Sequence, residues 1–108
     1  GRTYFLIDGL GNSTTGHFMS RVKDLKLGTI IGEELGSNHF CTAGQTVLRL
    51  SNTKLVYYVA NSISRIKKTA LPDEVGILPD YHVGQNIDDH LNKIDTVKEF
   101  ALKLVRDN

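Results

Sequence analysis

Tyr4-Phe5-Leu6-Ile7, led in by Thr3, is an unbroken apolar run that stops at Asp8-Gly9, and such a run predicts a strand buried on both faces, most simply a central parallel one. Gly9-Leu10-Gly11-Asn12-Ser13 follows as a glycine-punctuated turn. Phe18, Met19, Val22 and Leu25 then recur at helical spacing on one face, and Lys26-Leu27-Gly28 closes that helix. Thr29-Ile30-Ile31 before Gly32 reads as a second short buried strand, which completes a β-α-β unit.

From Glu33 to Gly44 the pattern turns polar and predicts a surface loop, the kind of segment in which functional residues collect. Thr46–Leu50 and Leu55–Val59, separated by Ser51-Asn52-Thr53-Lys54, predict an antiparallel hairpin, with Ile63–Ile66 as a further extended piece. Pro72 and Pro79 bracket a segment that cannot be helical throughout and is expected to run extended beneath the loop. Val97, Phe100, Ala101, Leu104 and Val105 trace the apolar stripe of a closing helix, with Asp95 placed to cap its first turn.

The length of 108 residues, 40% hydrophobic and 23% charged, bounds the chain to one domain or part of one. Thirteen Lys plus Arg against twelve Asp plus Glu give a net charge of +1 with no basic stripe, so nothing marks a nucleic-acid partner. Cys41 is the only cysteine, which excludes an internal disulfide and fits a packing role. The apolar runs fall far short of the roughly 20 residues that span a bilayer, so no membrane span is expected. Gly1 leads almost at once into the first apolar run, from which we expect that further sequence precedes it.

A glycine turn between a strand and a helix aims backbone N–H groups at whatever sits there. Gly11–Gly16 has the spacing of a phosphate loop, but His17-Phe18 stand where Lys and Ser/Thr are needed, and Gly9-x-Gly11 lacks the third glycine of a dinucleotide fingerprint. The other chemistry of this geometry is acyl transfer, with a serine hydroxyl exposed at the bend and a neighbouring N–H holding the oxyanion. Ser13 fits that role, and by local sequence it equally fits a simple N-cap. His17 reads as packing, and His82 and His90 have no partner at metal-ligand spacing, so neither metal nor cofactor is expected.

Four further stretches, in order, carry a resemblance: Tyr4-Phe5-Leu6-Ile7-Asp8 leading to Asn12-Ser13-Thr14-Thr15; Thr29-Ile30-Ile31-Gly32-Glu33-Glu34-Leu35-Gly36; Gly76-Ile77-Leu78-Pro79-Asp80; and Asp88–Asp95 before an apolar helix. Nearly end to end, the chain resembles the C-terminal processing (tail-specific) proteases and the core domain of tricorn protease. The resemblance implies an α/β fold, the C-terminal half of a Clp protease/crotonase-like spiral of β-β-α units, with residues 1–108 forming one partial peptidase domain.

It implies Ser13 as nucleophile and the N–H of Thr14 as one oxyanion donor, with a second donor upstream of Gly1. Processing proteases of this kind pair the serine with a lysine, yet the corresponding stretch here is Gly36-Ser37-Asn38-His39-Phe40; the tricorn-like branch uses an upstream histidine instead. On that branch the acid before the Gly-x-x-Pro-Asp signature maps to Asp73, beside Glu74, and either would orient the histidine or bind the amine end of a substrate. His39, an exposed loop histidine by local sequence, stands near the position of the absent lysine and is a substitute base, since imidazole titrates near neutrality.

The implied partners are a peptide or unfolded protein substrate and the remainder of the same peptidase domain, with homo-oligomers possible and a location outside the cytoplasm. By itself the chain is expected to hydrolyse peptides poorly. The absent lysine, and Gly16 where the family carries an acid, leave an inactive binding or scaffold module as the alternative.

Overall fold

The computed structural model describes residues 2–67 and 69–107, a small mixed α/β domain. Its first unit is β1 (Tyr4–Ile7), α1 (Thr14–Asp24) and β2 (Thr29–Gly32), with β1 and β2 parallel in the register Tyr4 to Thr29 through Ile7 to Gly32. β5 (Tyr81–His82) adds on the other side of β2, so the strand order is β1-β2-β5 and all are parallel. β1, expected as a central strand buried on both faces, is instead an edge strand with Leu6 46% exposed; the centre is β2, where Ile30 and Ile31 are fully buried.

Alternation along β2 sends these two isoleucines to opposite faces. Ile30 joins Ile7, Met19, Val22, Leu35 and Ile77 in the core beneath α1, and each such buried aliphatic side chain contributes roughly 1.5–3 kcal/mol. Ile31 serves the other face, where α3 (Thr96–Arg106) packs on β1 and β2 with Ala101 buried and Phe100 against Tyr81. Asp95 caps α3 by accepting from the Lys98 amide at 2.9 Å, as the sequence predicts. Of the apolar face predicted for α1, Met19 and Val22 are buried, but Phe18 and Leu25 remain exposed.

β3 (Phe40–Arg49) and β4 (Val56–Arg65) form a separate two-stranded antiparallel ribbon, about twice as long as the sequence pattern predicts. The predicted strands stop where Gly44, Gln45, Asn61 and Ser62 break the apolar run, yet pairing continues past them. A Cβ on Gly44 would collide with Asn61 Oδ1, so the asparagine occupies the space the glycine leaves, and its Nδ2 donates to Thr46 Oγ1 at 3.1 Å. Of the extra piece predicted at Ile63–Ile66, all but Ile66 is the end of β4.

The predicted surface loop after β2 is not simply surface. Leu35, Asn38 and His39 are buried because the proline-bracketed segment runs alongside, and Leu35 and Ser37 exchange backbone hydrogen bonds with Ile77 (3.0 and 3.2 Å). Asn38 Nδ2 donates to the carbonyls of Asp73 and Val75, which satisfies a side chain that would otherwise be costly to bury. Asp80 then fastens this segment to the sheet, its carboxylate accepting from the Ile30 amide at 2.8 Å and pairing with Lys23 of α1 at 2.6 Å. A short helix, α2 (Ile87–Leu91), precedes α3 and is capped by Asn86. Among the described residues no helix is long and apolar enough to cross a membrane.

Candidate active site

Ser13 stands where β1, through its turn, feeds α1, and the backbone there is unusual: φ is 52° and ψ −119°. A residue with a Cβ in that region carries strain of order 1–3 kcal/mol, which persists only where the surroundings enforce it. Enforcement comes from both sides. Gly11 N donates back to the Asp8 carbonyl, while the first turn of α1 is pressed so closely against the next loop that a Cβ on Gly16 would collide with the backbone oxygen of Asn38.

Although Ser13 occupies the N-cap position, its side chain makes no capping hydrogen bond, and the residue is exposed. The carbonyl of Ser13 accepts from Gly16 and His17, and that of Asn12 accepts from Thr15, but the Thr14 amide donates to no acceptor among the described residues. An unpaired amide and a free hydroxyl thus sit side by side at the positive end of the helix.

Ser13 lines a cleft of about 450 Å³, walled by Gly36-Ser37-Asn38, by Phe40, Cys41 and Thr42 of β3, and by Asp73, Glu74, Val75 and Gly76. Glu34 completes the acidic side, its Oε1 held by the Gly76 amide at 2.6 Å. A Cβ on Gly76 would overlap the Leu35 carbonyl, so glycine is what lets the two walls approach.

The candidate acids differ in what they touch. Asp73 is shared: one carboxylate oxygen lies 2.9 Å from His39 Nε2 and the other 2.9 Å from Arg65 Nη2. Glu74 is exposed and has no hydrogen-bond or ion-pair partner among the described residues. His39 is not an exposed loop residue but 1% exposed; its Nε2 is committed to Asp73, its Nδ1 is buried without a partner, and its ring does not line the cleft.

Neither histidine nor lysine lines the cleft among the described residues. His17 is half-buried with its Nε2 3.6 Å from Sγ of Cys41, which is half-buried too and also lines the cleft.

Two residues were missed by sequence reasoning. Glu34 lies within a glycine-flanked loop, a signal that was present; Arg65, paired with Asp73 and stacked 4.9 Å over the Phe40 ring, lies eight residues before Asp73 and carries no local mark. Asp80 has a structural role, and its carboxyl is held below its ordinary value: burial pushes it up, but the Lys23 ammonium and the Ile30 amide outweigh that. Compared with known proteins, the chain matches no protein-family model and no curated protein.

Proposed function

We propose that Ser13 is an acylating nucleophile and that the chain is the nucleophile-bearing part of a serine peptidase. The observation that carries this reading is the strained backbone of Ser13 together with an exposed hydroxyl that forgoes its cap. Strain at a strand-to-helix bend is a recurrent way of presenting a nucleophile, and here nothing in the local packing repays it through a hydrogen bond of the side chain.

In the proposed step Ser13 Oγ attacks a peptide carbonyl carbon and gives up its proton to a base, while the Thr14 amide holds the developing oxyanion. The C–N bond then breaks, the amine leaves with a proton, and water hydrolyses the acyl-serine. The base comes from outside the described residues, since no histidine or lysine stands in the cleft. The remainder of a peptidase domain would supply it, and the spiral of β-β-α units is the arrangement in which the parallel sheet and ribbon would be completed.

The test is acylation by an activated ester. Incubation with a p-nitrophenyl ester in the presence of imidazole as the base, followed by intact-mass and peptide mapping, is expected to leave one acyl group on Ser13 and none in the Ser13→Ala variant. Absence of acylation at Ser13 would leave a non-catalytic module.

A further inference from the structure

The ribbon begins at the cleft and leads away from it. Phe40, Cys41 and Thr42, the first residues of β3, wall the cleft that Ser13 also lines. One edge of β3 is paired with β4; the other pairs with no strand among the described residues. The ladder is interrupted at Gly44, whose φ is 67°, and resumes in the same register at Gln45, so the edge runs as two extended pieces, Phe40–Ala43 and Gln45–Arg49, whose alternate N–H and C=O groups point outward. β4 has a free edge too, but it does not wall the cleft.

The charge along this track changes sign, from Glu34, Asp73 and Glu74 at the cleft to basic residues at the far end of the ribbon. Between Glu34 and Asp73 there is no acidic residue, while Arg49 ends β3 and Lys54 stands in the turn beyond it. Arg49 lies seven positions beyond Thr42, at most about 24 Å along the ribbon. Strand addition to a sheet edge draws its affinity from main-chain hydrogen bonds and its selectivity from the side chains along the edge.

We propose that an extended polypeptide adds as a third strand along the free edge of β3, with acidic residues about seven positions from the residue held at Ser13 and facing Arg49 and Lys54. The inference rests on the reading of the Ser13 cleft as the place where a peptide is cut, and it narrows the substrate to unfolded segments with distal acidic residues.

The test uses the full chain carrying Ser13→Ala, so that binding is read without turnover. The probes are fluorescent ten-residue Thr/Val/Ala peptides bearing two Glu or two Lys at either end, followed by fluorescence anisotropy at low salt. One of the two Glu-bearing peptides is expected to bind at least about tenfold more tightly than its Lys counterpart, and Arg49→Glu with Lys54→Glu should abolish or reverse that preference. N-methylation of alternate peptide residues supplies a readout that needs no protein variant. One alternating set should weaken binding about tenfold or more and the other leave it within about twofold, because only every second amide faces β3.

Equal effects of the two sets, or a preference unchanged by charge reversal, would overturn the proposal. Loss of Ser13 acylation with this binding intact would instead overturn the peptidase reading alone.

Discussion

His39 Nε2 lies 2.9 Å from Asp73 Oδ1, joining a side chain that is 2% exposed to one that is 48% exposed. Arg65 reaches the same carboxylate from the solvent side with its own side chain 51% exposed. One aspartate thus joins the buried start of the ribbon to the segment that walls the cleft opposite Ser13, and its two partners should differ in worth.

Exposed ion pairs typically contribute less than about 1 kcal/mol, whereas a buried donor is expensive to leave unpaired. A double-mutant cycle read by urea denaturation should therefore give a coupling of roughly 1–3 kcal/mol for His39/Asp73 and under about 1 kcal/mol for Arg65/Asp73. Equal couplings would mean that the histidine bond is no stronger than the surface pair.

Removing the Ser13 side chain should be nearly free. An N-cap serine replaced by alanine ordinarily costs about 0.5–2 kcal/mol, but this hydroxyl caps nothing, so Ser13→Ala should change stability by less than about 0.5 kcal/mol. Ser13→Gly should gain about 1 kcal/mol, because glycine adopts φ 52° without a Cβ clash. Thermal unfolding of the two variants beside the parent checks both.

Gly16→Ala should do the opposite. The added methyl would meet the Asn38 backbone and Ser37 Oγ, and the loop cannot retreat without loosening the cleft wall, so a loss of about 1–3 kcal/mol is expected from chemical denaturation. This also gives a physical reason for a glycine three residues after the serine: the helix and loop approach too closely for any side chain.

Asp80 sets a pH limit. Its folded value lies below the ordinary 3.8, so its contribution is fully present above about pH 4 and is lost as the pH falls through the depressed value. Asp80→Asn should be less stable than the parent at pH 7, and the gap should close progressively below about pH 4. A gap of constant size down to pH 2 would show that the charge of Asp80 is not what holds Lys23 and Ile30.

The legible parts of the fold are those with an apolar run or a helical period. β1 and β2 stand out as unbroken apolar runs ended by glycine, and α1 and α3 because apolar residues recur at a period of 3.6 and Asp95 caps where a cap was needed. β5 has only two residues and α2 only five, too short for a period, although Asn86 followed by Asp88 and Asp89 was a readable cap. The burial of His39 was hidden because it depends on Asp73, a contact between residues 34 positions apart in a stretch whose composition is polar.

At the candidate site, the sequence placed Ser13 at a bend and put Asp73 and Glu74 nearby in function, and the structure brings all three around one cleft. What no pattern could convey was the positive φ of a serine between Asn12 and Thr14, where glycine would be the residue expected to adopt it.

Fluorophosphonate labelling mapped residue by residue tests the central claim most directly. With imidazole added to stand in for the base, Ser13 should be modified at least about tenfold faster than the exposed Ser51, Ser62 and Ser64, since a single oxyanion donor can be worth about 10²–10³ in rate. Labelling of Ser13 no faster than of those three serines, with or without imidazole, would contradict the account.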